Sequence, residues 1–128
     1  MELIIQEIIE KISSSFEKEL ENLIRERRDI SEFILATKKT LDEIGVTLVA
    51  EALETIDEAY RNSKDRKRNW TVKEKAAEKT LMTIFGEVRY ERTYYKNKKT
   101  GEYSYLSDEA VGIKAHDKMD ASLKARLI

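Results

Sequence analysis

Apolar residues recur at steps of three and four along the start of the chain. Leu3, Ile4, Ile5, Ile8, Ile9, Ile12, Phe16, Leu20, Leu23 and Ile24 form one stripe, with Glu, Lys, Gln and Arg between them. That spacing matches the period of an amphipathic helix. Ser13-Ser14-Ser15 is the weak point of the run, where a helix would bend or restart. Asp29 or Ser31 is placed to cap the next helix, with Glu32 following Asp29 as in a capping box. A second helical pattern runs from about Ile30 to Asn62, with Phe33, Ile34, Leu41, Ile44, Leu48, Val49, Leu53, Ile56 and Tyr60 as its stripe. Gly45 lies inside it and weakens the case for one unbroken helix. Two long amphipathic helices joined by a short turn predict a helical hairpin or a dimerisation arm.

The period then changes. Residues 80–95, TLMTIFGEVRYERTYY, are rich in Thr, Val, Ile, Phe and Tyr and alternate. Val88, Tyr90, Arg92 and Tyr94 face one way, and Arg89, Glu91, Thr93 and Tyr95 the other. Gly86 marks a tight turn, and Asn97-Lys98-Lys99-Thr100-Gly101 a second. Glu102-Tyr103-Ser104-Tyr105-Leu106 returns as a strand, and Trp70-Thr71-Val72-Lys73 is a candidate outer strand. Ser107–Ile113 reads as a loop. Met119–Ile128 reads as the opening of a helix with Asp120 as N-cap. Its stop after about two turns suggests a chain cut from something longer, a short docked helix being the alternative. The expected fold class is α+β: two long N-terminal amphipathic helices, a small three- to four-stranded antiparallel sheet, then the start of a further helix. The expected division is a helical hairpin or oligomerisation arm at 1–62, a basic linker and possible edge strand at 63–79, an antiparallel β-meander at 80–113, and a helix start at 114–128 leading to an absent downstream domain.

Composition narrows the chemistry. The 128 residues contain no cysteine and one histidine, so disulfide frameworks, thiolate metal sites and multi-histidine metal sites are excluded. No apolar run reaches the roughly 18 residues of a membrane span, and the N-terminus lacks the basic start and apolar core of a secretory signal. A cytoplasmic protein with no membrane partner is the expectation.

The net charge of −1 conceals a segregation. Residues 1–60 hold 7 basic and 15 acidic side chains, whereas residues 61–99 hold 13 basic and 5 acidic. The densest cluster is Arg61, Lys64, Arg66, Lys67 and Arg68, followed at once by Trp70. It reads either as a phosphate-binding strip beside an aromatic or as the solvated C-terminal end of a helix. Arg89, Arg92, Lys96, Lys98 and Lys99 interleave with Tyr90, Tyr94 and Tyr95, a mixture that can contact phosphates and stack on bases. The bland alternative is a sheet whose tyrosines pack inward while its cations protect exposed edges. No nucleophile motif and no glycine-rich phosphate loop is visible, and the lone His116 sits in a polar loop. Asp108-Glu109 reads as a loop or capping pair, and no small-molecule substrate is indicated.

Several short motifs share an order and spacing: Ile84-Phe85-Gly86-Glu87-Val88, Arg92-Thr93-Tyr94-Tyr95, Thr100-Gly101-Glu102-Tyr103, then Tyr105-Leu106, Asp108-Glu109 and Gly112. With the preceding SKDRKRNW at 63–70, they resemble the N-terminal region of a bacterial insertion-sequence transposase family, the UPF0236 or ISLre group. The resemblance covers about half of the chain, and the acidic first half matches only in general character. It implies a DDE-type transposase whose catalytic acids lie downstream, so no catalytic residue is carried over to this chain. It further implies that a divalent metal such as Mg belongs to that absent domain, leaving this chain with no cofactor. The resulting expectation is a non-catalytic module, a truncated copy or fragment, that binds transposon-end DNA in transposition and forms a homo-oligomer through its N-terminal helices. The alternative is a protein-interaction or homodimerisation module without nucleic-acid binding.

Overall fold

The structure, a computed structural model, describes residues 2–127. Ile128, the last residue of the expected helix opening, lies outside them. The elements are α1 (Glu2–Arg25), α2 (Ile30–Arg61), α3 (Lys64–Asn69), β1 (Trp70–Thr83), β2 (Gly86–Asn97), β3 (Tyr103–Ser104), α4 (Leu106–Ala110) and α5 (Ala121–Leu127). They divide into two compact units, Met1–Gly45 and Val46–Ile128. The division falls within α2.

In the first unit, α1 passes unbroken through Ser13-Ser14-Ser15. Ser15 spends its hydroxyl across the hairpin, 2.7 Å from that of Thr40, rather than on its own backbone. Lys11 pairs with Glu43 at 2.8 Å, and Phe16 meets Phe33 edge to face. Asp29 caps α2 by accepting from the Ser31 N–H at 3.1 Å. The carboxylate of Glu32 lies 3.8 Å from Arg28.

In the second unit, α2 continues past Gly45, which is buried inside an unbroken helix. Its Val46, Val49, Ala50 and Leu53 pack on Leu81, Val88 and Tyr90 of the sheet, with Ile113 completing the core. These contacts at three- and four-residue steps fix the sheet to one face of the helix.

The sheet has the order β1-β2-β3 and is antiparallel throughout. β1 runs 14 residues from Trp70, so the segment expected as a basic linker and possible edge strand at 63–79 holds α3 and the first part of a long edge strand. The middle of β1, KEKAAEK, has low strand propensity. Pairing with the Tyr-rich β2 overrides it, with register irregularities between Val72, Glu74 and Ala77. Gly86 closes the hairpin at φ +125°, in the region that favours glycine.

Two further corrections concern the C-terminal third. Residues 106–110 form the short helix α4 rather than a loop. The segment before α5 also pairs with β1: the Met82 N–H donates to the Lys118 carbonyl, and the Asp120 N–H to the Met82 carbonyl, both at 2.8 Å. Asp120 caps α5, as its position suggested, by accepting from the Ser122 N–H at 2.9 Å.

Candidate nucleic-acid interface

Ser63 begins α3 by accepting from the Arg66 N–H at 3.2 Å, and Trp70 ends it in extended conformation as β1 starts. The helix is less than two turns long, and Lys64, Lys67 and Arg68 are exposed on it. The turn after β2 is shaped by Asn97, whose side-chain oxygen accepts from the N–H groups of Lys99 and Thr100 at 2.9 and 3.0 Å. Lys98 fastens this turn to α3. Its N–H donates to the Asn69 carbonyl at 2.9 Å, and its Nζ to the Lys67 carbonyl at 2.7 Å.

The fastening merges two basic clusters that lie some thirty residues apart in the sequence. Lys64, Lys67 and Arg68 come from α3, and Lys96 and Lys99 from the end of β2 and its turn. Among the described residues none of these five forms an ion pair, and all are exposed. An aromatic ladder leads away from them. Lys96 Nζ lies 5.8 Å from the Tyr103 ring, Tyr103 stacks on Tyr94 at 5.3 Å, and Tyr94 meets Tyr105 at 4.4 Å. Tyr103 is 47% exposed and ends the ladder at the surface. Its pairing with Tyr94 is a cross-strand contact, which composition alone does not reveal.

Besides Lys98, which is spent on the fastening, four expected site residues lie outside the corner or are used within the fold. Arg66 turns inward: its Nε donates to the Arg61 carbonyl at 3.0 Å, its Nη2 to the same oxygen, and its Nη1 to the Trp70 carbonyl at 3.4 Å. Its guanidinium also lies 5.6 Å from the centre of the Tyr95 ring. Arg66 thus ties the end of α2 to the start of β1. Arg61 pairs with Asp57 at 3.5 Å in the last turn of α2. Arg89 is exposed beside Glu87, but it lies seven strand residues from Lys96, or roughly 23 Å. Arg92 is 6% exposed, which removes it from any surface that could meet a phosphate. Trp70, half-buried, borders the patch at the first residue of β1.

Arg92 belongs to a buried polar centre that the sequence did not reveal. Its Nε donates to Asp108 at 3.1 Å, and its Nη1 to the carbonyls of Ala77 and Glu78 at 2.8 and 2.7 Å. The Tyr105 ring covers its guanidinium at 3.9 Å. Asp108 also accepts from the Tyr90 hydroxyl at 3.0 Å. Burial pushes the Asp108 carboxyl above its ordinary range, while the bonds from Tyr90 and Arg92 oppose that shift. Burial raises the Tyr90 phenol as well, helped by the neighbouring carboxylate. Asp57 organises a second centre, accepting from the N–H and hydroxyl of Thr93 at 2.9 and 2.8 Å and from the Ser107 hydroxyl at 2.9 Å. Arg92 and Thr93 are therefore both buried although they face opposite sides of β2, since α4 holds one and α2 the other. Both centres lock elements together. Among the described residues no group of three or more His, Asp or Glu side chains is arranged for a metal ion. None of their helices is long and apolar enough to cross a membrane.

A helical hairpin unit and an α+β unit with an unpaired cationic, aromatic-edged corner describe the class of protein. The chain belongs to UPF0236, an uncharacterised protein family whose profile matches residues 5–128. Among its relatives in Caldanaerobacter subterraneus subsp. tengcongensis is a UPF0236 protein whose name carries eleven locus designations, TTE0033 to TTE2212. It is 32% identical over 98% of this chain and 27% of its own length. The UPF0236 protein TTE2489 of the same organism is 35% identical over 84% of this chain and 23% of its own length. The chain thus spans about a quarter of the length of these relatives. No solved structure matches it.

Proposed function

We propose that this chain is a non-catalytic DNA-binding module of a transposase, acting at the ends of a mobile element. The observation that carries the reading is the merged corner, where Lys64, Lys67, Arg68, Lys96 and Lys99 stand unpaired beside Trp70 and Tyr103. Surface cations held without counter-ions can exchange their own solvation and condensed DNA counterions for phosphate contacts. Exposed tyrosine supplies a face for stacking at a strand end or a distorted step. The names of the relatives add support: one carries eleven loci of a single strain and another carries four. One gene product repeated at many loci is what an element that copies itself leaves behind. The proposal assigns this chain binding, and leaves strand transfer and its metal to other parts of the full transposase.

Fluorescence anisotropy with a labelled duplex across a salt series tests the reading. Five phosphate contacts give a log–log slope of about −4 to −5, at ~0.9 per contact. Replacing Lys67, Arg68 and Lys99 with Ala lowers the magnitude of that slope by about 3 and weakens binding on all sequences alike. No binding at low salt, or an unchanged slope in the triple variant, refutes the corner as a DNA surface.

A further inference from the structure

The hairpin of the first unit leaves one long face uncovered. On α1, Ile5, Ile9, Ile12 and Phe16 follow each other at steps of four, three and four, and Leu20 extends the row. On α2, Ile30, Ile34 and Leu41 stand exposed with half-buried Thr37 in the same four-three-four pattern. The eight apolar side chains of these two rows are between 39% and 58% exposed. A groove of about 260 Å³ separates the rows midway along the hairpin, with Ile12 and Phe16 on one wall and Phe33 and Leu41 on the other.

Each helix already uses one seam within the hairpin, where Ser15 meets Thr40 and Lys11 meets Glu43. In a four-helix bundle every helix contacts two neighbours, through adjacent seams of a seven-residue repeat. The open rows are that second seam. We infer that a second copy of this chain covers this face, the two hairpins closing into a four-helix bundle.

The areas agree with that occupant. An aliphatic side chain carries on the order of 100 Å² of apolar surface, so eight half-exposed ones offer roughly 400 Å² per copy. Two copies bury about 800 Å² of apolar area, and an interface that is ~65% apolar then totals about 1,200 Å². This reaches the size of a stable specific interface. A twofold contact places the same face of both copies together, the commonest form of self-association.

Size-exclusion chromatography with multi-angle light scattering on the 128-residue chain is the test. The expected mass is twice the 15.0 kDa of one chain. Ile12→Asp combined with Phe16→Asp should give the single-chain mass with unchanged helical circular dichroism. Ile5→Lys, in the first turns of α1, is a second probe of the same face. A strict monomer up to about 100 μM, well above the μM-to-pM range of specific interfaces, overturns the inference. A dimer that survives both variants places self-association elsewhere and overturns it too. These substitutions leave Lys67, Arg68 and Lys99 in place, so failure here and failure of DNA binding are separately readable.

Discussion

Replacing Asp108 with Ala isolates the charge of Arg92 inside the sheet unit. In the native protein that guanidinium is 6% exposed and has one anionic partner at 3.1 Å, besides two carbonyls and the Tyr105 ring. Neutral partners satisfy its donors but not its charge. Removing one member of a buried ion pair costs about 3–5 kcal/mol, because the other charge stays desolvated. The Tyr90 hydroxyl loses its acceptor in the same step. Urea unfolding followed by the fluorescence of Trp70, the single tryptophan, reads the unit that contains the pair. With a slope of ~2 kcal/mol per M, the urea midpoint should fall by about 2 M. Arg92→Met together with Asp108→Leu removes both charges and should recover most of the loss. A loss below about 1 kcal/mol for Asp108→Ala would refute the reasoning, since Arg92 would then be hydrated despite its position.

Other outcomes separate structural from surface cations. Arg66→Ala should destabilise the protein by about 1–3 kcal/mol, through loss of its bonds to the Arg61 and Trp70 carbonyls, yet leave the DNA salt slope nearly unchanged. A slope that drops by a full contact would return Arg66 to the binding surface. Gly86→Ala should cost about 1–3 kcal/mol, measured by thermal or urea unfolding. The added Cβ would sit 3.8 Å from Val46 Cγ2, an ordinary contact, so the cost comes from the φ of +125°; an unchanged midpoint would count against it. Hydrogen bonds from Ser122 hold the Asp120 carboxyl below the usual carboxylate range. Its contribution to α5 is therefore complete above the unfolded value of ~3.9 and is lost as pH falls through the lower folded one. Amide exchange in 121–127 should accelerate across that window relative to intrinsic rates, and Asp120→Ala should remove the pH dependence.

The hydrophobic periods alone placed α1 and α2 and their shared turn, because steps of three and four residues put a stripe on one side only of a helix. The change to a two-residue period, with Gly86 and the Asn97–Gly101 turn, likewise made the meander legible. Local pattern also located the caps at Asp29 and Asp120, whose side chains act on N–H groups two residues away. It failed where long-range pairing overrode propensity. KEKAAEK is strand only because β2 pairs with it, and residues 106–110 are helical with Asp108 turned inward to Tyr90 and Arg92.

The cations show the same limit most sharply. The sequence determined how many there are and in which segments they cluster. Only the tertiary structure decided that Arg92 is buried against Asp108, that Arg66 holds two backbone carbonyls, and that Lys67 and Lys99 come to one corner through the bonds of Lys98. Arg92 is withdrawn from solvent by partners fourteen to sixteen residues away in the chain. That information lies in the pairing of the strands, not in the composition of any one of them.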